Sequence, residues 1–319
     1  MSSSSSVTFE DIQGACHRLD GVAHYTPVLT STSLNHRTDA RVFVKCENFQ
    51  RTSSFKFRGA YNTLSQLDSS IKEIISYSSG NHAQAVALAG TLLKIRSTII
   101  MPHDAPKIKR EATIGYGADI ILYDRNETSR EELAHQVSNE KKLPIIPPYD
   151  HPHIIAGQGT ATLELLNDHP DLDILLVPCG GGGLLSGASL VAHALNPKIN
   201  VIGIEPANAN DAEQSFKTGV LHSLNNSDTI ADGARTPSLG KLPFKIIQKF
   251  THDIISVPDT AIITATRFIW ERMKLVVEPT GALGLAALLT KSLNVKGQNV
   301  GIILSGGNVD LNQLATFCN

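Results

Sequence analysis

Four groups of polar residues in this chain have the types and spacing that chemistry needs. Lys56 stands between two phenylalanines in Ser53-Ser54-Phe55-Lys56-Phe57-Arg58-Gly59. Aromatic neighbours that desolvate an ammonium disfavour its charged form and leave the amine as a nucleophile; a surface lysine with its stem over apolar neighbours accounts for the same residues. Ser78-Ser79-Gly80-Asn81-His82 offers two hydroxyls, an amide and an imidazole after an apolar run, or else a turn with Ser79 or Asn81 capping the next helix. Gly180-Gly181-Gly182-Gly183 runs into Leu184-Leu185-Ser186, which leaves N–H groups free at the positive end of a helix dipole, where a phosphate is stabilised. A plain tight turn is the alternative. Ser305-Gly306-Gly307-Asn308 closes the last apolar run and reads equally as a loop. The glycine run fits neither G-x-G-x-x-G, since Leu185 or Ser186 stands where a third glycine is needed, nor a Walker loop, since Ala188 follows Gly187.

The elements that must hold these groups alternate in type. Apolar runs over 73–78, 97–101 and 119–123 read as strands, and the spacing over 81–93, 106–116 and 127–140 reads as helices. A turn-rich stretch, 144–152, interrupts the pattern, and it resumes with a helix over 154–166, a strand over 174–177, a helix over 184–195, a strand over 200–205 and a helix from 209. Before this block come a helix over 9–19, capped by Thr8, a strand over 41–46 and a helix over 53–67 capped by Ser53 or Ser54. Residues 219–242 show no period; helices over 259–273 and 280–291 and a strand over 300–304 follow. Such alternation predicts an α/β fold of two open, mostly parallel twisted sheets flanked by helices. Ligands of such sheets sit beyond the carboxyl ends of the strands.

Composition narrows the partners. The chain has 319 residues, 41% hydrophobic and 18% charged, with a net charge of −2 and no block of Lys or Arg. It therefore has no general attraction for nucleic acid or an anionic membrane, and small molecules are the expected partners. Cys16, Cys46, Cys179 and Cys318 form no C-x-x-C pair, which argues against a zinc site or a disulfide framework and for a reducing compartment. The serine run at the start lacks a signal peptide's apolar core, and no apolar run approaches the roughly 18 residues of a membrane span. A cytoplasmic protein is expected.

Taken together, a phosphate cradle, a lysine amine, an amide and a serine hydroxyl are what pyridoxal phosphate requires of a protein. Ser54 to Ala60, Ser78 to His82, Ala156-Gly157-Gln158-Gly159-Thr160, Gly180 to Gly183, Thr229-Ile230-Ala231-Asp232-Gly233, Trp270 to Lys274 and Ser305 to Asp310 closely resemble, in order, the motifs of the serine/threonine dehydratase branch of the fold-type II pyridoxal-phosphate enzymes, and within it the eukaryotic serine racemases. The resemblance implies a large cofactor domain, 1–68 with 151–319, and a small mobile domain, 69–150, bearing the Ser-Ser-Gly-Asn-His loop. It implies that Lys56 holds the cofactor through a Schiff base and then acts as a base. Phe55 would lie against the ring, Asn81 on O3′, Gly180, Gly181, Gly182, Gly183 and Leu184 on the phosphate, and Ser305 on the pyridine nitrogen. Ser79 would be the base on the opposite ring face, a position where threonine dehydratases generally carry alanine. Ser78, Ser79, Asn81, His82 and Arg130 would meet the substrate.

The same resemblance assigns a magnesium, calcium or manganese site to Glu205, the Ala209 carbonyl and Asp211, hard oxygen ligands suited to such ions. It assigns ATP, as a candidate activator, to Thr52, Gln84, Lys109, Ala112 and Tyr116, with Arg51 in place of the family's lysine. The expected activity is racemisation of serine with β-elimination to pyruvate and ammonia, in a homodimer. Pro147 to Pro152 is similar to the fungal branch, which includes threo-3-hydroxyaspartate dehydratases, so that activity is the second expectation. A non-catalytic metabolite-binding α/β protein is a third. With no regulatory extension after Asn319, a biosynthetic threonine dehydratase is not expected. His151 and His153 flank Pro152 and read as a turn rather than a ligand pair.

Overall fold

A computed structural model describes residues 6–224 and 227–310. Its strands are β1 (Val28–Leu29), β2 (Arg41–Cys46), β3 (Glu73–Tyr77), β4 (Arg96–Pro102), β5 (Asp119–Tyr123), β6 (Ile145–Ile146), β7 (Ile174–Pro178), β8 (Asn200–Pro206), β9 (Asp253–Val257) and β10 (Asn299–Leu304). Its α-helices are α1 (Phe9–Leu19), α2 (Thr32–Thr38), α3 (Lys56–Leu64), α4 (Asn81–Leu93), α5 (Lys107–Gly115), α6 (Arg130–Lys141), α7 (Pro152–Asp168), α8 (Gly183–Leu195), α9 (Asp211–Thr218), α10 (Lys241–Phe250), α11 (Asp259–Phe268) and α12 (Leu283–Leu289).

Among the described residues these strands make two sheets, in the orders β1-β2-β10-β7-β8-β9 and β5-β4-β3-β6. All pairings are parallel except β1 with β2. The central strand β7 is buried at every residue, as expected of a parallel strand covered on both faces. Leu175 and Val177 face a core built with α1, α7, α8 and α10, while Ile174 and Leu176 face one built with α2, α11 and α12. The strand's period of two thus assigns its side chains to two layers of helices.

The alternating block is present as expected, and the structure adds β1, α2, β6, α10 and β9. Strands β1 and β6 have only two residues each, too few for a period to register. Two expected caps differ. Ser54 lies extended, bridged to Gly306, and α3 begins after Phe55 with no side-chain cap; α4 likewise begins after Gly80 rather than Ser79 or Asn81. In α3 the first-turn N–H groups are taken by Ser54, Phe55 and Gln158, whereas the Asn81 and His82 N–H groups that open α4 have no side-chain cap and stay available to a ligand.

A buried charge cluster fixes α3. Arg58 donates to Glu47 from Nε at 2.7 Å and to Glu164 from Nη1 at 2.6 Å, and Lys45 Nζ reaches Glu164 at 2.6 Å. These four side chains join α3 to β2, the turn after it, and α7, two cations against two anions with no net buried charge. Next to the cluster, Thr52 and Ser53 have φ of 56° and 53°, a region that non-glycine residues occupy only when their surroundings hold them there. Asn308 Nδ2 donates to the Thr52 carbonyl, and the Gly307 N–H to that of Ser53, both at 2.8 Å. Lys56 is therefore anchored from both sides, by the charge cluster and by the loop after β10.

Candidate active site

The carboxyl ends of β3, β7 and β10 open on one cavity of about 560 Å³. Phe55, Lys56, Ser78, Ser79, Asn81, His82, Arg130, Gly180 to Leu184 and Ser305 all line it. Segments far apart in sequence and drawn from both sheets thus converge, as the strand-end rule requires.

Lys56 Nζ donates to the Pro148 carbonyl at 2.8 Å and lies 5.1 Å from the Phe55 ring centroid. Burial, and next the Arg130 guanidinium, lower its pKa from 10.5 to about 8, against the opposing pull of Glu278. The sequence suggested two flanking aromatics, but Phe57 turns into the core between α3 and α4, so only Phe55 faces the amine. Desolvation of the amine thus comes from the pocket as a whole rather than from an aromatic sandwich.

The glycine run forms an open cradle. Among the described residues, the N–H groups of Gly180 to Gly183 find no acceptor in the protein. Gly182 has φ of 87°, and a Cβ on Gly181 would lie 2.3 Å from Tyr149 Cδ1. One glycine is needed for its backbone angle and the other for the close approach of an aromatic ring. Free amides at the start of α8 bind an oxyanion such as a phosphate.

Asn81 Nδ2 donates to Glu278 Oε1 at 2.5 Å, and its Oδ1 accepts from Asn308 Nδ2 at 2.9 Å. Nδ2 carries a second hydrogen that remains available for a ligand oxygen. His82 Nε2 faces the Ile146 carbonyl at 3.3 Å, so the proton belongs on Nε2; Nδ1, buried and without a partner, is an acceptor. Burial and then Lys56 lower its pKa to about 3. The neutral ring cannot be a cationic partner for a carboxylate; the backbone amides at the start of α4 can. Arg130 lies 5.7 Å from the Tyr77 ring centroid, and its Nε donates to Glu131 at 2.7 Å.

Sequence reasoning missed Glu278 and Tyr149. Glu278 is buried with Oε2 unpartnered, and burial, with Asp232 adding to it, raises its pKa to about 7. Its one signal is an acid following the apolar pair Val276-Val277.

Glu205, near the end of β8, and Ala209 and Asp211, just after it, are all buried. Glu205 accepts from the amides of Ala212 and Glu213, at 3.3 and 2.8 Å, while neither oxygen of Asp211 has a donor. Burial raises the pKa of Asp211 to about 7, and burial together with Asp211 raises that of Glu205. Two buried acids of which one is orphaned suit a hard cation, although no group of three or more His, Cys, Asp or Glu side chains assembles among the described residues. Of the five nucleotide candidates, Lys109 turns into the main cavity and pairs with Asp232. Thr52 and Gln84 are buried, and neither they nor Ala112 or Tyr116 line that cavity.

The family described as pyridoxal-phosphate dependent enzyme matches residues 20–306. The chain is 49% identical to an L-threo-3-hydroxyaspartate ammonia-lyase of Saccharomyces cerevisiae, over 97% of this chain and 96% of that one. It is 48% identical to a serine racemase of Schizosaccharomyces pombe, over 97% of each. Among solved structures, maize serine racemase superposes with a TM-score of 0.94 at 40% identity, covering 98% of this chain and 97% of that one.

Proposed function

Because the chain belongs to the pyridoxal-phosphate dependent enzyme family, we propose that it interconverts L- and D-serine and also eliminates water from L-serine, giving pyruvate and ammonia. One observation carries this reading: Lys56 and Ser79 line the same cavity as the free amides of the glycine run. The residues fit the cofactor, with N–H groups for its phosphate, a lysine of lowered pKa for its aldehyde, and polar groups for the ring edge. When bound, pyridoxal phosphate supplies the electron sink that lets an amino acid's Cα proton leave.

Gly180 to Leu184 would hold the phosphate, Phe55 would pack on the ring, Asn81 would serve O3′, and Ser305 the pyridine nitrogen. Asn81 and His82 would receive the substrate carboxylate through their backbone N–H groups at the start of α4, and Ser78, whose N–H is taken by the Ile100 carbonyl, through its hydroxyl. Arg130 closes the pocket from the small domain, 69–150, over the large one, 1–68 with 151–319. Lys56 Nζ takes the Cα proton on one face, and the Ser79 hydroxyl returns one on the other, which makes the product enantiomer. Elimination needs only one of these bases and a leaving hydroxyl, so both outcomes belong to one site. The Pro148 carbonyl holds the Lys56 amine whenever it is free.

A second reading, elimination from threo-3-hydroxyaspartate, is favoured by Arg130, a cation in the cavity wall, and by the Saccharomyces relative. The reading further includes a magnesium, calcium or manganese ion on Glu205, the Ala209 carbonyl and Asp211; ATP as an activator; a homodimer; and a cytoplasmic location. No helix among the described residues is long and apolar enough to cross a membrane. The test is incubation with L-serine, D-serine, L-threonine and L-threo-3-hydroxyaspartate, with and without magnesium, scoring keto acid and enantiomer. Formation of D-serine from L-serine is expected. Keto acid from hydroxyaspartate with no D-serine would give the second reading its place, and no turnover of any of the four would refute both.

A further inference from the structure

Away from the reaction site, α2 and α11 border a second cavity of about 260 Å³, lined by Arg37, Thr264, Arg267, Phe268, Glu271 and Arg272. It lies on the face of the large sheet opposite α7 and α8. Three guanidinium groups face one carboxylate there. Arg267 Nη2 lies 3.5 Å from Glu271 Oε1. Arg37 stacks over Phe268, its Cζ 5.9 Å from the ring centroid, and neither Arg37 nor Arg272 forms an ion pair among the described residues.

Directly after α11, residues Ile269–Met273 form a π-helical turn, and the Lys274 N–H donates to the Ile269 carbonyl, five residues back. Arg267 meets Glu271 one α-helical turn on, and Arg272, inside the π turn, lines the same cleft. Single π turns of this kind cluster at functional sites. Like charges gathered in this way repel one another, and a bound anion removes the repulsion. Guanidinium forks match the paired oxygens of phosphates and carboxylates.

We propose that the cleft of Arg37, Arg267 and Arg272 binds a small oxyanion of two or more negative charges, a phosphorylated or polycarboxylic metabolite. The cavity has room for such an anion. It shares no residue with the cavity of Lys56, so the proposal does not depend on the reaction assigned above. Glu271 competes with the ligand for Arg267 and limits the affinity.

Pyrophosphate and citrate, each titrated calorimetrically into the cofactor-loaded full chain at low ionic strength without divalent metal, test this. Loading fills the glycine cradle and removes it as a competing site. One saturable site per chain is expected, weakened about tenfold or more by Arg37→Gln with Arg267→Gln and by Arg272→Gln. Glu271→Gln should tighten it, and Arg96→Gln, at an exposed pair with Glu73 outside the cleft, should leave it unchanged. Tighter binding of pyrophosphate identifies a phosphate-bearing ligand, and tighter binding of citrate a polycarboxylate. The proposal is overturned by the absence of saturable binding of either anion, or by equal affinity in the cleft variants.

Discussion

At the scale of single residues, the site works through protonation states that its walls impose. A lysine with its pKa near 8 rather than 10.5 offers a usable fraction of free amine close to neutrality. Capture of pyridoxal phosphate by the cofactor-free protein consumes that neutral form, so its rate should rise with pH and level off just above about 8. Stopped-flow absorbance measures it; a rise continuing towards pH 10 would show an ordinary lysine, and Lys56→Ala should stay colourless. Ser79, as the proposed base on the opposite face, would have the narrower task. Ser79→Ala should reduce D-serine formation from L-serine by about 10²-fold or more while pyruvate production persists. Chiral chromatography beside a keto-acid assay separates the two, and parallel losses would remove Ser79 from its role as a face-specific base.

At the scale of elements, the cavity depends on contacts that cross from one segment to another. Asp150 accepts from the N–H groups of Lys241 and Leu242, at 2.9 and 3.0 Å, at the start of α10. The same turn lays Tyr149 on Gly181 and offers the Pro148 carbonyl to Lys56. A methyl group at Gly181 would collide with the ring of Tyr149. Gly181→Ala should therefore weaken cofactor binding about tenfold or more through a displaced cradle, and Tyr149→Ala in the same chain should recover much of the loss. Equilibrium dialysis with pyridoxal phosphate reads both; an unaffected single variant would mean that the cradle tolerates the shift. The buried Arg58 cluster works on the same scale, since removing one member would leave another charge buried and unpaired.

At the scale of the whole molecule, the buried acids Glu205 and Asp211 link stability to pH and, in the proposed reading, to a metal. Asp211, raised from 3.8 to about 7, keeps its proton in the folded chain where the unfolded chain has lost it. Without metal, stability should fall as pH climbs from about 4 to about 7, with the loss complete above 7; Glu205 acts in the same direction. A cation between them relieves the repulsion, so magnesium should stabilise more at pH 7.5 than at pH 5. Thermal melts with magnesium and with chelator should differ by roughly 5 °C once the ion exceeds its Kd about a hundredfold. Glu205→Gln with Asp211→Asn should abolish the difference. Equal melting temperatures in the native chain would refute the metal.

How much of this was legible depended on the range over which each signal acts. Periodicity and strand-end glycines are local, so the alternating α/β block followed from the sequence, the glycine run stood out as a candidate cradle, and the ordered motifs gave the family. The two-residue strands β1 and β6 were not visible, because packing rather than local pattern stabilises them; α10 does carry a helical pattern, Pro243, Ile246, Ile247 and Phe250, and was overlooked. The motifs bearing Lys56, Ser79 and Ser305 were visible in the sequence, and the fold brings all three to one cavity. Tertiary structure alone decided that Phe57 leaves the amine, that His82 is neutral with a fixed proton, and that Glu278 and Tyr149 join the site. Each of these depends on burial or on a partner distant in sequence: Ile146 for His82, Gly181 for Tyr149 and Asn81 for Glu278. Desolvation and long-range contacts exist only once the chain has folded.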